Sequence, residues 1–203
     1  MKLYYSPGAC SLSPNIIARE AGINLTLVKV DTATHKTAAG EDFYQINPKG
    51  YVPLLELDNG QRLSEGPIIA QYLADQAPQS RLVPAAGTLE RYRVMEWQNY
   101  ITSELHKSFS PLFNPAIDAT AKAVFAESLH KKFNWISSQL EGRSYLTGEN
   151  FTIADAYLFT VSGWSKFVQL DLSGYKHLQD FLARVAARPA VKEAMKAEGL
   201  IAN

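Results

Sequence analysis

KLYYSPGACSLSPNIIA, residues 2–18, is the most informative segment for the class of fold, because it joins a short apolar strand directly to a helix. Leu3–Tyr5 is apolar and aromatic and predicts the strand. The helix is predicted over Ser11–Ala21, and Gly22 ends it with the positive φ that glycine adopts easily. A strand followed at once by a helix is typical of an α/β arrangement, so the next residues must supply the rest of a sheet.

Cys10 lies in the corner between this strand and this helix, and it is the single cysteine of the chain. A thiol at a helix N-terminus is close to free backbone N–H groups and to the positive end of the helix dipole. Both favour the thiolate, so the sequence predicts a lowered pKa for Cys10. A redox partner for a single cysteine has to come from outside the chain. The alternative is a buried cysteine that serves as a small apolar side chain.

The rest of the first part alternates strand-like and helical runs. Leu25–Val30 is rich in β-branched residues and predicts a strand, and the polar run 31–40 predicts a loop or a short helix. Residues 53–63 predict a hairpin around Asn59-Gly60, a pair that suits a tight type I′ turn. A helix is predicted over residues 66–76 from apolar side chains at helical spacing.

The composition changes at residues 77–87, where two prolines and a glycine indicate a linker. Every later element is predicted to be helical, at residues 88–109, 119–140, 152–168, 176–187 and 190–198. Thr152 and Asp155 have the spacing of a capping box at one of these helix starts. The sequence therefore predicts an α/β domain over residues 1–80 and an all-α domain over residues 87–203.

The overall composition is that of an ordinary globular protein. Of 203 residues, 46% are hydrophobic and 20% are charged, a balance that can fill a core. Twenty Lys and Arg match twenty Asp and Glu, which argues against nucleic acid as a partner, because a phosphate-binding surface normally needs a basic excess. No signal peptide, membrane span or metal site is predicted. With the unpaired cysteine, these features predict a cytoplasmic protein.

Two further features of the first domain suit a peptide ligand. A cis proline at Val52-Pro53 would leave the Val52 N–H and C=O free to pair with an extended peptide, and a trans proline in a plain turn is the alternative. In Ser64-Glu65-Gly66, the helix start suits a ligand carboxylate and the Glu65 side chain suits a ligand ammonium. An ordinary helix cap is the alternative there.

Asn99, Ser103 and His106 form a candidate site in the second domain. They are spaced four and three residues apart, so they share one face of the first long helix. If this face overlooks the first domain, His106 is placed to hydrogen-bond to a sulfur leaving group or to protonate it. The alternative is a solvated polar face on which the histidine has no role.

Together these motifs resemble those of the glutathione transferases, and most closely the bacterial beta class. The matching segments are Tyr5-Ser6-Pro7-Gly8-Ala9-Cys10-Ser11, Asn47-Pro48-Lys49-Gly50-Tyr51-Val52-Pro53, Ser64-Glu65-Gly66, Glu104-Leu105-His106-Lys107 and Phe151-Thr152-Ile153-Ala154-Asp155-Ala156-Tyr157. They lie in both domains, and the resemblance covers essentially the whole chain.

The resemblance implies a thioredoxin-like first domain with a cis Val52-Pro53 bond, followed by an all-α domain that supplies the electrophile pocket. It implies a homodimer with glutathione as co-substrate, and Cys10 and His106 as catalytic residues. Beta-class enzymes can form a mixed disulfide between this cysteine and glutathione. The implied glutathione-binding residues are Cys10, His35, Val52, Pro53, Glu65, Gly66, Asn99, Ser103 and His106, the last three reaching glutathione from the second domain or from the partner subunit.

The contact with the glycyl carboxylate of glutathione departs from the family pattern. Relatives often carry a lysine there, whereas this chain has His35 with Lys36 beside it, and either could serve after a small shift. A neutral histidine holds a carboxylate less strongly than a lysine. Tyr5 and Ser11 are alternative hydrogen-bond donors to the glutathione sulfur, although Tyr5 also suits the first strand and Ser11 a helix cap. The residues implied for the electrophile pocket are Phe109, Leu112 and Phe113.

The implied function is a glutathione transferase that activates glutathione as a thiolate for conjugation to hydrophobic electrophiles, a detoxification activity. Thiol–disulfide exchange or peroxide reduction through Cys10 is a further route, because a cysteine can attack a substrate before glutathione resolves the product. The alternative is a non-enzymatic ligand carrier or adaptor on the same fold, since fold does not fix function. The presence of Cys10, Val52-Pro53 and His106 together argues against that alternative.

Overall fold

A computed structural model describes residues 1–202 and divides the chain into two compact units. One unit is Met1–Val83 together with the described residues from Arg188 onward, and the other is Pro84–Ala187. The predicted succession of an α/β part and an all-helical part is present. The division differs from the predicted second domain, 87–203, because the last helix packs in the first unit.

The first unit is built on a mixed sheet, and within the described residues its strand order is β3-β2-β1-β4-β5. The strands are β1 Lys2–Tyr5, β2 Thr26–Asp31, β3 Lys36–Thr37, β4 Leu54–Glu56 and β5 Arg62–Ser64. β1 is parallel to β2, and the other pairs are antiparallel. β3 lies in the run that the sequence predicts as a loop or short helix. Its two residues are too few to show a strand pattern, and pairing with β2 makes them a strand.

The hairpin of β4 and β5 is confirmed, but its turn is not the predicted type I′. That turn needs a positive φ at both Asn59 and Gly60, and of these two only Gly60 has one, at 80°. The Gly60 N–H donates to the Leu57 carbonyl at 2.9 Å, and the Leu57 N–H donates to the Gln61 carbonyl at 2.8 Å. The connection is therefore a longer loop that a left-handed glycine closes, as in the three-residue hairpin loops.

The helices follow the predicted positions closely. In chain order they are α1 Leu12–Glu20, α2 Gly66–Asp75, α3 Leu89–Tyr100, α4 Lys107–Phe113, α5 Ala119–Gln139, α6 Ile153–Gly163, α7 Lys176–Ala186 and α8 Pro189–Ala197, with a π-helical segment, Ile101–His106, between α3 and α4. In the first unit α1 packs against α2 and α8. Ile16 and Ile17 of α1 are fully buried, and each such side chain contributes about 1.5–3 kcal/mol by leaving water.

Charged and polar contacts of the C-terminal segment show why it belongs with the sheet. Arg188 donates to both carboxylate oxygens of Glu20, at 2.6 and 2.8 Å. Glu198 is buried and accepts from the Gly8 N–H and from Asn15 Nδ2, each at 3.0 Å. The loop that leads to Cys10 is thus tied to residues at the far end of the chain, a long-range contact that local sequence patterns do not predict.

In the second unit, α3, the π-helical segment and α4 follow one another without a break, where the sequence predicts one regular helix. The Lys107 N–H donates to the Thr102 carbonyl, five residues back, which is the π-helical pattern. Lys132 of α5 donates to the Glu104 carbonyl and to Ser108 Oγ, both at 2.8 Å. A cation from another helix thus satisfies a backbone carbonyl within the π-helical segment.

The predicted capping box at the start of α6 is confirmed. The Asp155 carboxylate is fully buried and accepts from the Thr152 N–H, from Thr152 Oγ1 and from the Leu146 N–H, each at 2.8 Å. Burial raises the pKa of Asp155 to about 6, although these donors oppose the shift.

Residues 1–202 contain neither a membrane-spanning helix nor a cluster of metal ligands. No helix in this range is long and apolar enough to cross a membrane. The same residues contain no group of three or more His, Cys, Asp and Glu side chains placed to hold a metal ion.

Candidate active site

Cys10 lies in the corner between β1 and α1, as predicted. Its thiol donates to the Val52 carbonyl across 3.3 Å. The Val52-Pro53 peptide bond is cis, as the resemblance implied, and it leads directly into β4. The structure therefore brings the predicted thiol together with the backbone group that was predicted to pair with a peptide ligand.

The pKa of Cys10 is opposite to the prediction. Burial raises it to about 12, and the charges of Glu65 and Glu198 raise it further. The N–H groups of Cys10 and Ser11 lower it, but they do not outweigh the burial. The residue keeps some solvent exposure, yet its sulfur is enclosed by protein. The expectation from the helix dipole was wrong because it left out the cost of removing a thiolate from water.

Ser11 and Tyr5 are both engaged within the protein. Ser11 is fully buried; its hydroxyl donates to the Ser6 carbonyl and accepts from the Ser6 N–H, both at 3.2 Å. It occupies the N-cap position of α1 but makes no capping hydrogen bond. Tyr5 is buried in β1, as expected for a strand residue.

Glu65 and Gly66 stand beside Cys10 at the start of α2. Glu65 has φ 69° and ψ 111°, a conformation that residues with a side chain rarely adopt. Such strain is found preferentially at functional sites. A Cβ added to Gly66 would lie 3.5 Å from Pro53 Cγ and 4.0 Å from the Cys10 carbonyl oxygen. The corner therefore assembles Cys10, Val52-Pro53, Glu65 and Gly66 from three separate segments.

Lys49 is a residue of this corner that the sequence reasoning missed. Its Nζ donates to Glu65 Oε1 at 2.9 Å and to Ser64 Oγ at 3.1 Å. Lys49 belongs to the motif Asn47-Pro48-Lys49-Gly50, and its place in this motif was the only indication in the sequence that it lies at the site.

His35 is partly buried and hydrogen-bonded to Gly50, the residue that follows Lys49. Its Nδ1 lies 3.2 Å from the Gly50 carbonyl oxygen, and its ring packs on Tyr44 at a centroid distance of 4.5 Å. Because a carbonyl only accepts, Nδ1 must be the donor. In the neutral ring, Nε2 is then an acceptor, which cannot bind a carboxylate. Lys36 lies next to it in β3 and is exposed.

The second group of predicted residues lies on α3 and the π-helical segment of the other unit. Asn99 and Ser103 are exposed, and Ser103 Oγ donates to the Asn99 carbonyl at 3.1 Å. His106 is partly buried, with Nδ1 2.7 Å from the Tyr157 hydroxyl oxygen and its ring edge-to-face with Trp164. The π-helical segment changes the spacing of a regular helix, so a shared face cannot be read from intervals of four and three.

The three residues implied for the electrophile pocket have different environments. Phe109 is fully buried and packs against Phe133 and Trp164, so it belongs to the core of the helical unit. Leu112 is partly buried and Phe113 is half exposed. Only the last two can meet a ligand without a change in the core.

Known proteins match this chain along its length. The model of the N-terminal domain of glutathione S-transferase matches residues 8–76, and that of the C-terminal domain matches residues 100–189. Glutathione S-transferase GstA of Escherichia coli O157:H7 is 46% identical over 98% of this chain and 100% of its own length. The chain belongs to the glutathione S-transferase family.

Solved structures show which class of the glutathione S-transferase family the chain resembles. A sphingomonad glutathione S-transferase complexed with glutathione is 48% identical, with a TM-score of 0.95 over 99% of this chain and 100% of that one. A bacterial beta-class glutathione S-transferase from Sphingomonas chungbukensis is 44% identical, with a TM-score of 0.96 over the same shares. The thioredoxin-like first domain, the helical second domain and the resemblance to the beta class are thereby confirmed.

Proposed function

We propose that this member of the glutathione S-transferase family is an active glutathione transferase with glutathione as its co-substrate. The observation that carries the proposal is the corner at Cys10. A thiol, the backbone of Val52 and the carboxylate of Glu65 lie together there, and they match the thiol, the peptide backbone and the ammonium of one glutathione molecule. Pro53 and Gly66 complete the same corner.

In conjugation, Cys10 acts as a hydrogen-bond donor and not as a base. Burial keeps its thiol protonated near neutral pH, and the thiol already donates to Val52. A glutathione thiolate beside it would accept this hydrogen bond, which favours the charged nucleophile. The proton of the glutathione thiol passes to water. The thiolate then forms a carbon–sulfur bond with a hydrophobic electrophile, and the leaving group departs with its electron pair. Detoxification of such electrophiles is the role that we assign to this reaction.

Thiol–disulfide exchange uses Cys10 as the nucleophile, after its proton has passed to a base. Its thiolate attacks the glutathione sulfur of a mixed disulfide, forms a Cys10–glutathione disulfide and releases the other thiol. A second glutathione thiolate attacks this mixed disulfide, which yields glutathione disulfide and returns Cys10. In peroxide reduction, the Cys10 thiolate attacks one peroxide oxygen, the O–O bond breaks, and the other oxygen leaves and takes up a proton to give an alcohol or water. Two glutathione molecules then return the resulting sulfenic acid of Cys10 to the thiol, with formation of glutathione disulfide and water.

His35 is the residue that we assign to the glycyl carboxylate of glutathione, and its ring is oriented by the contact of Nδ1 with the Gly50 carbonyl. Only the imidazolium can donate to the Gly50 carbonyl and to the ligand together. His35→Lys should therefore lower the KM for glutathione about threefold or more. Lys36→Ala, the change at the neighbouring candidate, should leave that KM unaltered, and the reverse result would assign the contact to Lys36.

Asn99, Ser103 and His106 are assigned to glutathione from the helical unit, of the same subunit or of a partner subunit. The Tyr157 hydroxyl oxygen lies 2.7 Å from His106 Nδ1 and orients the ring, and His106 is the residue of this group that we assign to the sulfur. Leu112 and Phe113 line the electrophile site in this assignment. We also propose a cytoplasmic homodimer. The resemblance of the motifs to the bacterial beta class supports the dimer, and the unpaired Cys10 fits a reducing compartment.

The experiment combines calorimetry with two activities. Wild-type protein should release heat on titration with millimolar glutathione, and absence of heat would leave the non-enzymatic carrier or adaptor as the better explanation. Cys10→Ala should lose exchange with a mixed-disulfide substrate by at least about 100-fold, because the nucleophile is gone. It should conjugate a chloro-nitroaromatic acceptor with a loss of about tenfold or less, the value of one hydrogen bond. Equal losses in both reactions would show that Cys10 does not have separate roles.

A further inference from the structure

The ammonium of Lys49 is held in place beside Glu65. Nζ donates to Glu65 Oε1 at 2.9 Å and to Ser64 Oγ at 3.1 Å. Asn47 fixes the loop that carries Lys49, because its Oδ1 accepts from the Lys49 N–H at 3.3 Å and its Nδ2 donates to the Tyr51 carbonyl at 2.7 Å. The cation is therefore positioned by the same loop that leads into Val52-Pro53.

The γ-glutamyl end of glutathione carries an ammonium and a carboxylate on one carbon atom. The Glu65 carboxylate attracts the ammonium, but it repels the carboxylate beside it. If Glu65 were the only charged side chain at the site, its repulsion of the ligand carboxylate would cancel part of its attraction for the ligand ammonium. The N–H groups at the start of α2 offer the ligand carboxylate only partial positive charge, whereas Lys49 and Glu65 together offer the zwitterion a full charge of each sign at close distance.

The exposure of the pair makes an exchange with a ligand inexpensive. The Lys49 side chain is 54% exposed and that of Glu65 is 65% exposed. An ion pair in this environment contributes little to stability. A ligand that supplies a new partner to both charges can therefore separate them at small cost.

We propose that Lys49 is a specificity-determining residue that binds the γ-glutamyl carboxylate while Glu65 binds the γ-glutamyl ammonium. On binding, one Lys49–Glu65 ion pair is exchanged for two ion pairs with glutathione. This assignment rests on the proposed function, since it names the part of glutathione that each of the two residues recognises.

The test compares Lys49→Met with Lys2→Met. Lys2 is the control, because its side chain is 52% exposed, close to the value for Lys49, and it forms an ion pair with Glu56 in the same unit at a similar distance of 3.0 Å. Each protein is titrated calorimetrically with glutathione and with 4-aminobutanoyl-cysteinylglycine, an analogue that lacks only the γ-glutamyl carboxylate. Circular dichroism and thermal unfolding check that each variant is folded.

Wild type and Lys2→Met should bind glutathione about tenfold more tightly than the analogue. Lys49→Met should bind glutathione about tenfold more weakly than wild type does and should no longer distinguish the two ligands. An unchanged preference in Lys49→Met would overturn the assignment, and tighter glutathione binding would do so too, because Lys49 would then only compete for Glu65. If wild type binds the analogue and glutathione equally, the assignment fails while the proposed function stands. If wild type binds neither, both fail.

Discussion

The starts of α1 and α6 each hold a buried acidic group, and near neutral pH the thiol of Cys10 is neutral whereas the carboxylate of Asp155 is ionised. Burial raises the pKa of Cys10 to about 12 and that of Asp155 to about 6. Asp155 accepts three hydrogen bonds from Thr152 and Leu146. At Cys10, the N–H groups of Cys10 and Ser11 lower the pKa, but burial and the charges of nearby carboxylates raise it by more.

A helix N-terminus alone therefore does not create an anion. The dipole acts at both helix starts, and in both it is weaker than desolvation. The number of donors directed at the group decides how far the pKa rises. Asp155 is therefore a charged structural anchor, and Cys10 is a neutral thiol that needs a ligand or a base before it can react.

The largest expected effect is on the alkylation of Cys10 by iodoacetamide. Since the thiolate is the nucleophile, folded ligand-free protein at pH 7 should react at least about 100-fold more slowly than free cysteine. The control is the same protein unfolded in urea, which should react like free cysteine. The rate of the folded protein should still be rising above about pH 9, and a plateau near neutral pH would restore the sequence prediction of a lowered pKa.

Replacing Asp155 should cost more stability than removing an ordinary cap. Asp155→Ala leaves buried donors of Thr152 and Leu146 without an acceptor, which should cost about 3 kcal/mol in the free energy of unfolding. Asp118→Ala is the matched control, because Asp118 caps the exposed start of α5 through the Ala121 N–H. It should cost about 1 kcal/mol. Urea unfolding measures both, and equal losses would contradict the argument from burial.

The raised pKa of Asp155 also predicts a pH dependence of stability. The folded protein binds the Asp155 proton more tightly than the unfolded chain does. The contribution of Asp155 protonation to the free energy of unfolding is therefore fully present below the ordinary pKa of 3.8. It is lost as the pH rises towards about 6. The stability advantage of wild type over Asp155→Asn should shrink by about 2 kcal/mol across this window, measured by urea unfolding at a series of pH values. An advantage that grows with pH would mean that the donors outweigh burial.

The smallest expected effect concerns the carboxylates around Cys10. The charge of Glu65 raises the pKa of the Cys10 thiol, so Glu65→Gln should lower that pKa slightly. The alkylation rate at pH 8 should rise by about twofold to fivefold. Glu41→Gln, which removes an exposed carboxylate bonded to Thr37, should leave the rate unchanged. A similar increase in both variants would point to the net charge of the protein and not to a local effect.

Local signals in the sequence predicted much of this protein. The strand-to-helix corner at Cys10, the capping box at Asp155 and the hairpin of β4 and β5 all depend on residues close together in the chain. The π-helical segment was not predictable in this way. The Lys132 ammonium that satisfies its Glu104 carbonyl comes from another helix, 28 residues later.

The same distinction holds for the candidate site. The positions of Val52, Pro53, Glu65 and Gly66 followed from motifs. The charge state of Cys10 did not, because it depends on burial and on Glu198, which is far away in the sequence. The role of Lys49 needed side-chain geometry that spacing does not give, since its partners Ser64 and Glu65 follow 15 and 16 residues later.

The return of α8 to the first unit has a consequence for biosynthesis. A ribosome releases the chain from its N-terminus, so the sheet and Cys10 emerge well before α8 and Glu198. Until then the Gly8 N–H lacks its Glu198 acceptor and α1 lacks one of the helices that it packs against. The unit that holds Cys10 is thus completed only after the whole helical unit has been synthesised.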